Sequence, residues 1–456
     1  MKMTKRRIVY TAIVTLIVVF SSTFAILMTL ERTDYRNYLQ GEYSKNMYDL
    51  ISSVQNIRVN LGKAAIVGSK EQSIIVFEEI FRNAAMANDK LHSLPVPQET
   101  LENSSKFLSQ VGDFCYTLGK VSSEGRELSE KDYQTIDSLK NRSFQLEANL
   151  KEASNQVSSG KVKWGEIRKR VSGVFAKNNT EVLSEKFKGI QKQVAQYPAL
   201  IYDGPFSDNV VNIEPRVNSE RAISQKEGED AVKKILGADK VESIKIKETK
   251  SNTRIPAYSF EVIMKGRDKK SSTAACEISR HGGKVIYLLD NKSVAKAKIT
   301  KDKAIQQGVT YLNNIGYKNM IPMYSLTYGN VAVISYVYKQ DNIIIYPDQI
   351  KLKIALDDGS IIGIESEKYL VSHSDRRATP QPRVTVDEAR KRVGKRLKIN
   401  STKLAIVPTE NNKEVLCYEF SGSYNNEQFI VYINTDTGFE QKIVQIINTP
   451  NGQLTM

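Results

Sequence analysis

The C-terminal half of this 456-residue chain states one pattern three times. Helix starts at Ser224, Thr300 and Thr385 are each followed by an amphipathic helix, alternating strand segments and a glycine turn. The turns are Gly282-Gly283, Asp358-Gly359 and Thr437-Gly438. A helix with one apolar stripe and strands with one apolar face must cover each other, so each copy predicts one helix on an antiparallel sheet. The copies carry no reactive residues at shared offsets. A repeat of that kind is built to bind.

In the first copy, Ser224-x-x-Glu227 is a capping-box pattern, and Ala231, Val232, Ile235 and Leu236 form the buried stripe. Strands are expected at 241–248, 257–265, 272–278 and 284–289. In the second, Thr300 opens a helix with Ala304, Ile305, Val309 and Leu312, and Val331–Tyr338 and Ile350–Ala355 alternate as strands. In the third, Thr385-x-x-Glu388 opens a helix carrying Ala389, Val393 and Leu397. Leu416, Tyr418 and Phe420, then Phe429, Val431 and Ile433, are period-two faces of two strands. The first copy departs from the others by placing Gly228 where an early alanine stands in its siblings.

The other end of the chain is set by hydropathy. No charged residue occurs from Ile8 to Leu30, and a helix of that length crosses about 30 Å of hydrocarbon. Lys2, Lys5, Arg6 and Arg7 precede it, which places the N-terminus in the cytoplasm and the rest outside. The run ends in Ala25-Ile26-Leu27-Met28-Thr29-Leu30, a poor cleavage site, so an uncleaved single-pass anchor is expected rather than a signal peptide.

Between anchor and repeats, apolar residues recur at helical spacing. They include Leu50, Val54, Ile57 and Leu61, then Ile74, Phe77, Phe81 and Ala84, up to the break at Pro95-Val96-Pro97. A helix over Glu99–Leu118 and one opened by Ser129-Glu-Lys-Asp132 follow. A fourth apolar-periodic stretch surrounds Val182, Phe187, Ile190 and Val194, beyond Trp164 in its basic segment. Long helices with short breaks predict an elongated antiparallel bundle. The expected fold class is therefore α+β and multidomain. Its parts are an anchor over 1–34, a helical domain over 35–200, a connector over 201–222, repeats over 223–295 and 296–372, a second connector over 373–383 and a third repeat over 384–456.

Net charge is +15, distributed along the chain rather than gathered in one arm, so no nucleic-acid partner is expected. It suits an anionic surface such as lipid or wall polymer. From Asp375 to Lys403 there are ten basic and three acidic residues, and Arg390, Arg392, Lys395 and Arg396 are the candidate anionic-surface patch, placed on one helix with Lys391 and Lys398. The junction Asp203-Gly204-Pro205-Phe206-Ser207-Asp208 must turn and is the second candidate motif. Asn209–Ser219, polar and holding Pro215, reads as an exposed connector, and the connector over 209–223 as a site of early proteolysis.

Chemistry is sparse. Cys115, Cys276 and Cys417 fall in three segments without a CxxC pair, against a zinc or redox motif. His92, His281 and His373 are scattered, and no HExxH, GxSxG or Walker loop occurs. Asp357-Asp358 before Gly359 is an ordinary turn pattern. No cofactor, metal or catalytic residue is expected. A wall hydrolase relying on carboxylates alone, a solute-sensing ectodomain and a wall-binding protein stay open as alternatives.

The repeats resemble PepSY domains, with Thr385-Val-Asp-Glu-Ala389 and Asp436-Thr-Gly438 the best match. Joined to the basic N-terminus, the anchor, Phe107-Leu-Ser-Gln-Val-Gly-Asp-Phe-Cys-Tyr116 and the junction Tyr202–Asp208, they make the chain similar to the YpeB family of spore germination proteins. That resemblance implies a non-catalytic protein of the spore inner membrane facing the cortex. It implies the cortex-lytic enzyme SleB as partner, each protecting the other from loss.

Overall fold

The computed structural model describes residues 5–96, 98–159, 213–250, 253–268, 271–375, 377–409, 413–449 and 452–455. Two compact units divide it, one of Met1–Ala64 and Ile74–Ile190, the other of Ala65–Ser73 and Gln191–Met456.

The first unit is helical. Helix α1 spans Lys5–Ala64, α2 Lys70–His92, α3 Gln98–Ser123 and α4 Glu130–Ser158. The N-terminal part of α1 holds an apolar window of mean hydropathy 2.4, none of it buried, and is a candidate membrane span. Further along, Leu50, Val54, Ile57 and Leu61 are completely buried, the i, i+4, i+7, i+11 stripe expected of a helix facing a core. Phe77, Ile80 and Ala84 of α2 and Leu108, Val111 and Leu118 of α3 are buried as well. Ile74 and Phe81, expected on the inner face of α2, are instead partly exposed, and Phe81 packs against Tyr116 with ring centroids 5.5 Å apart. Ile80 takes the inner position. Helix α4 begins with the capping box predicted at Ser129 and Asp132 and meets α1 through the Arg58–Glu147 ion pair at 2.6 Å. The helical run also breaks earlier than Pro95, at the turn between Ala64 and Lys70, where Gly68 allows a close main-chain approach.

In the second unit the order helix, three strands, glycine turn, strand recurs three times. The first repeat is α5 (Gln225–Leu236) with β1 (Val241–Lys250), β2 (Ala257–Met264), β3 (Thr273–Ser279) and β4 (Val285–Asp290). The second is α6 (Lys301–Ile315) with β5 (Met320–Tyr328), β6 (Val331–Gln340), β7 (Ile343–Ala355) and β8 (Ile361–Glu365), followed by α7 (Glu367–Ser372). The third is α8 (Val386–Arg392) with β9 (Lys398–Pro408), β10 (Glu414–Tyr424), β11 (Glu427–Asn434), β12 (Glu440–Thr449) and β13 (Gly452–Thr455). Ser224, Thr300 and Thr385 all cap their helices through side-chain oxygens, each accepting from the amide three residues on.

The repeats are not separate bodies but share one 13-stranded sheet. Strand β4 pairs antiparallel with β8, joining the first repeat to the second. The second and third are joined twice. Ile343–Ile345 of β7 runs parallel to Leu404–Ile406 of β9, and Gly452 of β13 pairs with Leu326 of β5. These two junctions close the strand path β5-β6-β7-β9-β10-β11-β12-β13 on itself, which removes edges that would otherwise stay open. Inside the closure lie Val337, Ile344, Tyr346, Cys417, Tyr432 and Val444. The apolar core under α5 and α6 is continuous across the first two repeats, with Val232, Phe260, Leu312, Tyr336 and Leu352 among its members. Ala389, Val393, Phe420, Phe429 and Val431 form the core under α8.

Of the polar segment read as an exposed connector, the described part lies against the first repeat. Val217 is 3% exposed and Ile213 packs on the same core, and Ala222 bridges His281 as a short antiparallel pair. Two apolar residues, Ile213 and Val217, anchor this otherwise polar stretch.

Candidate functional site

The basic cluster around α8 has a different shape from the one its sequence implies. The helix ends at Arg392, and Val393 already has extended backbone. Arg390, Lys391 and Arg392 therefore form the last helical turn, where cations complement the free carbonyls and the helix dipole. Lys395 and Arg396 lie in the turn that follows, and Lys398 starts β9. Just past the helix end, Gly394 makes a close main-chain contact. A Cβ there would collide with the main-chain oxygen of Ile66. Val393 and Leu397 remain core residues, as expected, but reach the core from the turn. The result is a basic surface made of a helix end, a turn and a strand start.

Two of its arginines also have local work. The Arg390 guanidinium lies 5.9 Å from the Phe420 ring centroid and donates to Thr402 Oγ1 at 3.3 Å. Arg392 lies over the Gly438 turn, within van der Waals reach of where a Cβ would stand. Arg390, Lys391, Arg392 and Lys395 are exposed, and Arg396 is half-buried. Below the patch, Glu388 closes the capping box on Thr385, and that backbone hydrogen bond holds its carboxyl below the ordinary value.

Two ionic clusters stand at the joints between repeats; the sequence marked Asp357-Asp358 only as a turn and gave no sign of the cation it binds. Lys292, just after β4, places Nζ 2.8 Å from Asp357 and 2.7 Å from Asp358. Asp357 also accepts from the Ala295 amide at 3.0 Å. The carboxylate pair is thus a clasp for an ammonium group. The second cluster centres on Asp348 of β7, fully buried. It accepts from Ser372 Oγ and from Arg377 Nη2, both at 2.8 Å, and meets His373 Nδ1 at 2.8 Å. Arg377 continues to Glu414 of β10 at 3.3 Å, so the cluster ties the second repeat to the third.

Asp348, His373 and Ser372 supply the residue types of a hydrolytic triad but not its relay. The Ser372 hydroxyl has the Asp348 carboxylate and the Lys368 carbonyl oxygen as its acceptors, each at 2.8 Å, and not the imidazole. A nucleophile needs the base, not the orienting acid, as its partner. His373 stacks on Tyr369 at 4.1 Å between centroids. Burial pushes the Cys115 and Cys417 thiols up to about 12, so at neutral pH they stay protonated. All three cysteines are buried. Among the described residues no group of three or more His, Cys, Asp or Glu is placed to hold a metal.

Residues 31–166 match the family described as YpeB N-terminal, and residues 183–380 match YpeB sporulation, PepSY1 and PepSY2 domains. The chain belongs to the YpeB family. Sporulation protein YpeB of Bacillus subtilis (strain 168) is 24% identical over 90% of this chain and 91% of its own. Sporulation protein YpeB of Halalkalibacterium halodurans is 24% identical over 89% of each chain. A solved structure, Bacillus megaterium YpeB C-terminal domain, is 28% identical and is covered completely by 50% of this chain, with a TM-score of 0.45. The resemblance seen in the sequence to the YpeB family therefore stands, and the relatives are named for sporulation rather than for an enzymatic reaction.

The junction residues Asp203, Gly204, Pro205, Phe206 and Asp208 lie outside the described residues, as do Trp164 and the apolar stretch around Phe187. What sequence reading missed was long-range. Lys292 and Asp357 are 65 residues apart, and Arg377 and Asp348 are 29 apart. The signal available was weak: isolated charges beside apolar strands, at Asp348 and Arg377.

Proposed function

We propose that this protein is a membrane-tethered, non-catalytic partner that stabilises, localises and regulates the cortex-lytic enzyme SleB from sporulation until germination. In this reading the N-terminus is cytoplasmic, α1 anchors the chain, and the helical unit and three PepSY domains face the cortex from the spore inner membrane. The observation that carries it is the near-full-length match to YpeB sporulation proteins in a chain whose described residues include one exposed apolar helix long enough to cross a membrane. A fused sheet whose joints are ionic clasps, with closed strand edges, supports a rigid scaffold better than a turnover site.

The basic surface at Arg390, Arg392, Lys395 and Arg396 is the proposed contact for anionic wall polymer or for an acidic face of the partner. Charge attraction there speeds and orders association and is screened by salt. Two experiments test the reading. Purified chain incubated with cortex peptidoglycan should release no muropeptides unless a hydrolase is added; release by the chain alone overturns the non-catalytic role. Reversing Arg392, Lys395 and Arg396 to glutamate should weaken retention of wall and partner, as should raised salt. Unchanged retention removes the patch from the proposal.

A further inference from the structure

The turn between α1 and α2 belongs to the second unit, which includes Ala65–Ser73. Ile66 is fully buried in the core under α8, beside Ala389, Val393 and Phe420. Two glycines let the turn come this close. A Cβ on Gly68 would collide with the Arg392 carbonyl oxygen, and one on Gly394 with the Ile66 carbonyl oxygen. The two main chains therefore cross at backbone contact, which only residues without a side chain permit.

Glu440, the first residue of β12, closes this crossing. It is 5% exposed, and its Oε2 accepts from the Gly68 amide at 3.1 Å and the Ser69 amide at 3.0 Å. Amides just ahead of a helix lack intrahelical partners and favour an anion. Yet among the described residues no cation pairs with Glu440. Arg392 on α8 is exposed and turned to Gly438. Lys70 and Glu71 at the start of α2 are exposed, and β11 sets Ile433 opposite Glu440. A buried carboxylate with two amides and no counter-charge is costly. Burial accordingly outweighs the Ser69 and Gly68 bonds and pushes the carboxyl up to about 7.

We propose that the Ile66–Ser69 turn is a releasable plug on the third repeat, seated by the glycine crossing and gated by the charge on Glu440. A carboxyl raised above its ordinary 4.5 while the plug is seated holds it best when protonated. The hold is complete below that value, weakens as pH rises towards about 7, and then levels off. Release would free the core position of Ile66 and the main chain around Gly394, beside the basic surface.

Hydrogen exchange at the Gly68 and Ser69 amides of the full-length protein tests this, expressed as protection factors to remove intrinsic pH effects. Protection should fall by about 30- to 100-fold between about pH 5 and about pH 8. Glu440→Gln keeps an acceptor oxygen for both amides and carries no charge, so its protection should be the same at both pH values. Gly68→Ala should lose protection at both, with exchange in β10 and β11 unchanged. Wild-type protection independent of pH, or a Glu440→Gln variant with the wild-type pH dependence, overturns the proposal. Both readouts hold even if Gly68→Ala fails to fold.

Discussion

Lys292 reaches from the end of the first repeat to Asp357 in the glycine turn of the second, with Nζ 2.8 Å from Oδ1. Both side chains are mostly buried, at 14% and 11% exposure, so the pair is less screened than a surface bridge. Burial pushes the neighbouring Asp358 carboxyl up, but the bonds from Lys292 and Ser360 outweigh it and hold it well below the usual carboxylate range. A depressed carboxyl contributes stability that is present above its ordinary pKa and lost as pH falls through the lowered value. Replacing Lys292 with methionine leaves two carboxylates without their cation. The expected loss is about 2 kcal/mol, less than for a fully buried pair because Asp358 is half exposed. Urea denaturation at neutral pH measures it, and the difference from wild type should shrink in acid.

Tyr346 of β7 donates to Glu419 of β10 at 2.6 Å, inside the closure that joins the second and third repeats. Burial pushes the Glu419 carboxyl up, against the Tyr346 hydrogen bond and the charge of Lys403. A raised carboxyl stabilises the fold at low pH, and the contribution is lost as pH rises through the raised value. Tyr346→Phe should cost about 1–3 kcal/mol by leaving a buried acceptor short of a donor. Glu419→Gln should flatten the stability profile as pH rises above the ordinary carboxylate value of 4.5. A chemical denaturation series across that rise decides both. A Gln variant with the wild-type slope would show that Glu419 does not set it.

Gly308 sits on the buried side of α6 against Tyr336, whose hydroxyl donates to the Ile305 carbonyl at 3.0 Å. On helix propensity alone, Gly308→Ala gains about 1 kcal/mol. Its methyl group would collide with the Tyr336 hydroxyl, however, and the tyrosine is fully buried and cannot swing away. Overpacking of this kind costs about 1–3 kcal/mol, so a net fall in Tm is expected. Gly228 of α5 offers the milder contrast. There the Cβ would stand 3.1 Å from the Phe260 ring, a contact that a small shift relieves. Gly228→Ala should change stability far less, and thermal melts of the two variants side by side check the ranking.

That contrast also shows how much the sequence could tell. Gly228, Ala304 and Ala389 hold the same place, four residues after the capping Ser224, Thr300 and Thr385. All three are buried against their sheets. The departure at Gly228 is therefore not a broken motif: the Phe260 and Tyr258 rings crowd, without filling, the place an alanine methyl would take. Caps, stripes and strand alternation were legible because they are local and periodic. The end of α8 was not, because Gly394 is fixed by Ile66, a residue in a distant part of the chain. Nor were the seams, since the β7–β9 pairing and the Asp348 cluster depend on which repeats meet. The basic cluster was legible as charge and wrong as shape, because charge does not report where a helix stops.

Asp348 provides the strongest test of the seam between the second and third repeats. Its carboxylate has no exposed surface and meets Ser372, His373 and Arg377 at 2.8 Å each. Arg377, 8% exposed, depends on it for charge, with Glu414 3.3 Å away as its other carboxylate. Asp348→Asn keeps the shape but removes the charge and replaces one acceptor oxygen with a donor facing donors. An arginine left buried without its main counter-ion costs about 3–5 kcal/mol. Arg377→Met removes both the cation and its need for Asp348's charge, yet it strands that carboxylate with Ser372 and His373 alone. The double variant Asp348→Asn with Arg377→Met should therefore be more stable than the sum of the two single losses predicts, with a coupling of about 2 kcal/mol. A double-mutant cycle by denaturant titration measures this. Strict additivity would mean that the two residues stabilise the fold independently and that the seam is held by strand pairing alone.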